Sequence, residues 1–191
     1  MARTPSTMLE LGTVAPNFDL LQPVTGERIS LNAFLQRPLL VAFICNHCPF
    51  VIHIAPKLAE VAARYPEVAF VAINSNDATT YPDDAPEKMG AFMEKYGFTF
   101  PYLYDETQQV AQAYRAACTP DFYLFSADHH LVYRGQFDSA RPGNGLPVNG
   151  EDLVAALDAL RSGSAISEAQ IPSLGCNIKW RAGSEPDYFH Q

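Results

Sequence analysis

The chain has 191 residues, 48% of them hydrophobic and 12% aromatic, and a formal net charge of -8 from 13 basic and 21 acidic side chains. That length buries roughly two thirds of the unfolded surface with no need of a metal or disulfide staple, and the composition is that of a globular rather than a disordered chain. The acidic balance, with no cluster of Lys or Arg to offset it, repels phosphate backbones, so no nucleic-acid partner is expected.

The first residues, MARTPSTMLELGTVAPNFDL, contain no apolar run that could serve as a signal-peptide core. No segment elsewhere approaches the ~18 consecutive apolar residues of a membrane span. The expected address is therefore the cytosol, where thiols are normally kept reduced, with no membrane partner. A chain with 4 cysteines at this length does not read as a secreted disulfide framework.

Residues Asn17 to Leu31 predict two short strands around a turn at Thr25-Gly26-Glu27. Leu39 to Ile44 is a continuous apolar run, which suits a strand buried on both faces. From Val51 onward, Val51, Ile54, Leu58, Val61, Ala62 and Tyr65 recur at helical spacing. Pro66 ends that helix, and Pro56 falls inside it. Glu67 to Asn74 predicts a second buried strand, and SNDATTYPDDAP after it is too rich in Pro, Asp and Asn to be anything but loop. Pro86 to Tyr96 predicts a helix closed by Gly97. Phe100 to Asp105 predicts a strand, and the stretch from Thr107 another helix. CTPDFYLFSADHHLVYRGQF reads as two strands around a solvated turn at Ala127-Asp128-His129-His130. A loop from Ser139 to Gly150 and a helix stopping at Gly163 follow. The segment from Ser164 carries Ile171, Leu174, Cys176, Ile178, Trp180, Tyr188 and Phe189, too many large apolar groups for a free tail, so it should lie on the rest of the chain. Strands alternating with helices predict an α/β fold with a mixed sheet, and in such sheets chemistry sits at the carboxyl ends of parallel strands.

Cys45-Asn46-His47-Cys48 falls at such an end. A cysteine is nucleophilic only as thiolate, and a free thiol with pKa ~8.5 is mostly protonated at neutral pH. The amino end of a helix favours the anion through its partial positive charge and unpaired N–H groups. His47, if protonated, adds a full charge close to either sulfur. The second cysteine gives the first a partner: after Cys45 attacks a substrate disulfide, Cys48 can attack the mixed disulfide and release the product. Pro49 bears on which sulfur sees more of the helix field. If Cys48 is the N-cap, Pro49 takes the favoured first helical position and Cys48 gains most. Cys45 is nevertheless the favoured attacking thiol, because a strand end is the more exposed position. A redox dithiol, a pair of metal ligands and simple packing all remain open on this stretch alone.

Thr119-Pro120, immediately before the strand DFYLF, resembles the Thr-cis-Pro step that faces the C-x-x-C in the thioredoxin fold. APNFDL followed by a hairpin is similar to the opening of the peroxiredoxin-like and TlpA/ResA-like branch. CNHCPFV, AINSND, YPDDAPEKM, FPYLYDETQ, CTPDFYLF, LVYRGQFD and GCNIKW together resemble the peroxiredoxin-like, AhpC/TSA-type redoxins of bacteria. The resemblance implies a thioredoxin fold with a central mixed β-sheet, an N-terminal β-hairpin extension and a C-terminal tail packed on the domain. Residues 1–191 would form a single domain, with its core at about 12–163 and an extension over 164–191. The resemblance further implies a cis bond at Pro120, thiol-disulfide chemistry at Cys45 and Cys48, and substrate docking by Thr119 and Pro120. Protein or small-molecule disulfides and thiols would be the substrates and a thiol the electron donor, with no organic cofactor and no resident metal.

Departures from the relatives qualify this. The P-x-x-x-T/S-x-x-C pattern of peroxiredoxins is absent: counting back from Cys45 gives Pro38 and Ala42, and from Cys48 gives Val41 and Cys45. A peroxiredoxin-like thiol peroxidase is thus the second reading. Ile44 stands where thioredoxins usually have Trp, and Leu39 to Ile44 contains no carboxylate, which leaves proton transfer to His47 or water. The third reading is a metal-binding or metallochaperone protein for copper or zinc, using Cys45, Cys48 and a histidine. Cys118 is expected as a packed core thiol, and Cys176 as a buried one that becomes a third redox cysteine if the tail folds over the site. Asn74, Asn76 and Asp77 should lie near the site or cap their own loop, and His53 should sit on a helix surface.

Overall fold

A computed structural model describes residues 3–189. The chain opens with a short strand β1 (Arg3–Pro5), which the sequence pattern did not reveal, and continues into the predicted hairpin β2 (Asp19–Gln22) and β3 (Glu27–Ser30). The apolar run forms β4 (Leu39–Phe43), followed by α1 (Pro49–Arg64), β5 (Ala69–Asn74), α2 (Pro86–Tyr96), β6 (Tyr102–Tyr104) and a short α3 (Gln109–Ala113). Then come β7 (Cys118–Thr119), β8 (Asp121–Phe125), β9 (Leu131–Gly135), α4 (Glu151–Ser162) and β10 (Leu174–Asn177). Gly97 closes α2 with φ 74°, the left-handed conformation that a residue without Cβ adopts at least cost.

Seven strands form one sheet in the order β3-β2-β6-β5-β4-β8-β9. β4, β5 and β6 run parallel, and β8, β9 and the hairpin are antiparallel to their neighbours, so the sheet is mixed. β4 lies between β5 and β8 and is buried along its whole length. Its alternate side chains supply two cores. Leu40, Ala42 and Ile44 pack with α1, α2 and α4 on one face, while Leu39, Val41 and Phe43 pack with α3, Tyr114 and Tyr123 on the other. Each of the larger of these side chains, Leu, Val, Ile and Phe, stabilises the fold by roughly 1.5–3 kcal/mol relative to exposure. That is why the strand reads as an unbroken apolar run rather than an alternation.

A second sheet has three strands, β1-β10-β7. The tail's Ile178 and Trp180 are buried in the second core, and Tyr188 Oη donates to the carbonyls of Ala111 and Ala116 at 3.2 Å. A sealed ion pair joins β8 to β9. Asp121 and Arg134 are both fully buried and hydrogen-bonded to each other, and the guanidinium sits 3.8 Å from the centre of the Tyr123 ring. Burial pushes the Asp121 carboxyl up, and the Arg134 charge opposes that.

Two expectations change. His129 is buried, with Nε2 3.1 Å from the Phe34 carbonyl oxygen, because the β8–β9 turn folds against the short 3-10 turn Leu31–Phe34; the turn is exposed at Ala127, Asp128 and His130. The SND loop also contains a short 3-10 turn at Pro82–Asp84 that buries one of its two adjacent acids. Among the described residues no helix is long and apolar enough to cross a membrane.

β10 approaches β7 so closely that a Cβ on Gly175 would stand 2.0 Å from the Thr119 carbonyl oxygen. Gly175→Ala is expected to push the strand off β7 and destabilise the protein by about 1–3 kcal/mol, the usual cost of overpacking. Urea unfolding at an unchanged m-value checks this, and a variant as stable as wild type would show that the close approach is dispensable.

Candidate active site

β4 delivers its end to the centre of the sheet, where Ile44 N–H donates to the Ile73 carbonyl at 3.0 Å before the chain leaves for α1. Cys48 is the N-cap of α1 with φ -67° and ψ 120°, and Pro49 occupies the first helical position. The residue before a proline is driven to extended backbone, so Pro49 itself sets where the helix starts. This is the register that gives Cys48 the larger share of the helix field. The exposure argument for Cys45 finds no support, since Cys45 is 1% exposed and Cys48 0%. Neither sulfur is open to solvent, because the cysteines lie beneath the loop between β7 and β8 and beneath β10.

The Thr119-Pro120 peptide bond is cis and faces the dithiol. Cys45 Sγ lies 3.4 Å from Thr119 Oγ1, and Cys48 Sγ lies 3.1 Å from the Thr119 carbonyl oxygen. β10 runs antiparallel along β7 with Cys176 opposite Thr119 and Asn177 opposite Cys118. The Cys176 thiol is within hydrogen-bonding reach of Cys48. Cys118 is fully buried and points its thiol at the Pro120 carbonyl, 3.6 Å away; burial pushes its pKa up. It is a packed thiol.

The sulfurs divide one charge among them. Thiol donors from Cys176 and then Cys45 lower the Cys48 pKa, against the opposing effect of burial, with smaller help from the Thr119 hydroxyl and the Val51 backbone N–H. The Thr119 carbonyl contact suits a protonated Cys48 instead, but the donors aimed at this sulfur outnumber it. Cys48 is therefore the sulfur of the pair whose ionised form is the more favoured. Burial raises the Cys45 pKa, and the neighbouring Cys48 and Asp84 charges add to the rise. Because the two sulfurs interact strongly they titrate as a pair.

His47 and the loop that carries it are fixed by a residue the sequence reading passed over. Asp84 is fully buried, and its Oδ1 accepts the Asn46 N–H at 2.8 Å and the His47 N–H at 3.2 Å. Its Oδ2 accepts Asn76 Nδ2 at 2.7 Å and lies 2.7 Å from His47 Nδ1. The carboxylate holds the His47 pKa above its ordinary 6.5, against partial burial and the Lys179 charge. The ring stacks on Tyr81 with centroids 6.0 Å apart. Neighbouring Asp83 is exposed and pairs with Lys88 at 2.7 Å, so nothing in the pattern PDD distinguishes the two acids. The carboxylate missing from β4 is thus supplied by the loop after β5. Asn76 Oδ1 accepts the Lys179 N–H at 2.8 Å, tying this loop to the tail, while Asp77 caps its own loop through the Thr79 N–H and the Thr80 hydroxyl. Cys45 Sγ, a His47 ring nitrogen and an Asp84 oxygen lie within 4.8 Å of one another, a mixed set of donor atoms for a cation.

Residues 11–134 match the AhpC/TSA family. The chain belongs to that family. It is 25% identical over 128 residues to the thiol-disulfide oxidoreductase ResA of Halalkalibacterium halodurans, a match covering 66% of this chain and 68% of that protein. A crystal structure of an uncharacterized conserved protein from Geobacillus kaustophilus is 52% identical, covers 95% of this chain and 97% of that one, and superposes with a TM-score of 0.92. A secreted Mycobacterium tuberculosis disulfide oxidoreductase homologous to E. coli DsbE shares 24% identity over 75% of this chain and 96% of that one, with a TM-score of 0.60. At that identity the last likeness concerns the fold, and the fold of this AhpC/TSA member is the α/β thioredoxin fold with a mixed central sheet. Its relatives include thiol-disulfide oxidoreductases.

Replacing Asp84 with Asn removes the charge that holds the imidazolium. The His47 pKa is expected to fall towards 6.5, and the loss of charged hydrogen bonds to cost about 1.5–3 kcal/mol. Because the folded His47 pKa is raised, the stability from this pair is fully present below the unfolded value and is lost as the pH rises through the folded one. An NMR titration of the His47 ring protons in both proteins checks the direction, and identical midpoints would contradict the role given to Asp84.

Proposed function

We propose that this AhpC/TSA protein is a thiol-disulfide oxidoreductase in which Cys45 and Cys48 cycle between dithiol and disulfide. The observation that carries the reading is the sulfur pair at the head of α1, both sulfurs within hydrogen-bonding distance of Thr119. Kinship with a thiol-disulfide oxidoreductase supports it. An incoming disulfide reaches the site from the His47 side, where that side chain is 22% exposed, and so meets Cys45 before Cys48. Cys45 attacks one sulfur of the substrate disulfide, and the other sulfur leaves with the Cys45 proton. Cys48, the sulfur that best holds the anion, then attacks Cys45 Sγ, closes the disulfide and expels the second substrate thiol. His47, whose protonated form Asp84 favours, supplies the second leaving thiolate with a proton. Thr119 and Pro120 hold the substrate backbone, and a protein or low-molecular-weight thiol returns the electrons. In this reading Cys48, whose pKa is lowered, is the resolving thiol, and Cys45, within 4.8 Å of a His47 ring nitrogen, is the attacking one.

Insulin reduction with a dithiol as electron source tests this. Wild type is expected to turn over, and Cys45→Ser and Cys48→Ser each to fall to the uncatalysed background. Equal rates in all three proteins would remove the proposal.

The cluster of Cys45, His47 and Asp84 favours one further reading, a thiophilic cation such as zinc or Cu(I) held by a thiolate, an imidazole and a carboxylate. Protein purified under reducing conditions would then hold close to one equivalent of metal, lost in Cys45→Ser. Metal analysis giving a negligible content in wild type excludes this reading and leaves the redox one standing.

A further inference from the structure

β7 is only the two residues Cys118–Thr119, and its edge towards the dithiol is where an extended peptide can add as a strand. That edge is filled by the chain itself. β10 pairs there in antiparallel register, with Cys176 opposite Thr119, and β1 covers the other edge of β10 with Arg3 opposite Cys176. The absence of a side chain at Gly175 lets β10 come against the Thr119 carbonyl, as a bulkier residue could not. The neighbouring Cys176 packs in the same apolar cluster as Cys45 and Cys48. Cys48 is the sulfur that both Cys45 and Cys176 reach with a hydrogen bond. Thiol-disulfide exchange requires the attacking thiol to reach the sulfur it attacks.

We infer that Cys176 is a third redox cysteine, carried on β10 as a built-in substrate strand, which exchanges with the Cys45–Cys48 disulfide to form a Cys48–Cys176 disulfide. The inference rests on the reading of Cys45 and Cys48 as a redox pair. In the step, Cys176 Sγ attacks Cys48 Sγ; the Cys48–Cys176 bond forms and the Cys45–Cys48 bond breaks. The electron pair of the broken bond goes to Cys45, which takes up the proton Cys176 gave up. Oxidation is conserved, one disulfide replacing another, so no further oxidant is needed. The surroundings of the sulfurs agree with that direction of proton movement. In the reduced protein the hydrogen bond to Cys48 is the main cause of the raised Cys176 pKa, followed by burial, while Lys179 acts to lower it. Once Cys48 is in a disulfide the hydrogen bond that most raises the Cys176 pKa is gone, which leaves burial acting to raise it and Lys179 to lower it. Cys45 is the sulfur whose burial favours the protonated form.

The test uses the full chain treated with oxidised glutathione, alkylated under denaturing conditions and digested with trypsin. Cys45 and Cys48 share the peptide ending at Lys57, and Cys176 lies on the peptide ending at Lys179. In Cys45→Ser, the expected result is that these two peptides become linked and the Cys48 and Cys176 thiols are lost together, while Cys118 is alkylated. In wild type the same linked pair should appear as a fraction of the oxidised protein, alongside the Cys45–Cys48 disulfide, so the measurement does not depend on the variant folding. If wild type closes the Cys45–Cys48 bond while Cys176 stays alkylatable in both proteins, with Cys48 of the variant carrying only glutathione, the inference is overturned and the redox pair survives. If wild type never closes that bond, both fall.

Discussion

One buried carboxylate organises the region around the dithiol. Asp84 has no contact with solvent, and its two oxygens take the backbone N–H groups of Asn46 and His47, the amide of Asn76 and the Nδ1 face of His47. A sealed negative charge is tolerated only when its surroundings supply donors and an opposite charge. Those donors here come from the loop after β4 and the loop after β5, so both must be in place for the carboxylate to be satisfied. The loop bearing the two cysteines is therefore fixed from the side, while Pro49 fixes it from the helix.

The constraint extends to the tail. Asn76 joins Asp84 to the backbone of Lys179, and Gln108 Nε2 reaches both the Ser75 carbonyl at 2.6 Å and the Lys179 carbonyl at 2.8 Å. Ile178 N–H donates to the Ala117 carbonyl at 3.1 Å, just before β7. Residues far apart in sequence thus converge on one patch above the sulfurs, and β10 is held there by backbone pairing as well as by burial of Ile178 and Trp180. The fold closes its own reactive centre with this strand. β10 occupies the edge of β7 that an added strand would otherwise use.

Charge placement follows from the same packing. In water neither thiol of a C-x-x-C would be distinguished by sequence alone. Here Cys48 gathers donors because it is the N-cap and lies between Cys45 and Cys176, whereas Cys45 meets the desolvation of the strand end and the Asp84 charge. The Asp121–Arg134 pair, next to the cis step, is stacked on Tyr123, and among the described residues Arg134 Nε has no hydrogen-bond partner. It holds the start of β8 to β9, so the loop opposite the cysteines is carried on a rigid hairpin.

The local elements were legible because each depends on neighbours in the chain. The apolar run of β4 and β5, the helical spacing of α1, Gly97 after α2 and Gly163 after α4 all act within a few residues. The same holds for the dithiol and the Thr-Pro step, whose residue types carry their chemistry with them. β1 and β10 were not legible as strands, since each is short and becomes a strand only by pairing with the other and with β7. The role of Asp84 could not be separated from that of Asp83, nor His129 from His130, because burial rather than residue type distinguishes them. By itself, then, the sequence determined which groups can do chemistry and where the chain turns. Only the tertiary structure decided which sulfur holds the charge, which acid is sealed beside it and that Cys176 stands over the pair. Those properties arise from desolvation and from donors brought together across long stretches of chain, and no local pattern encodes them.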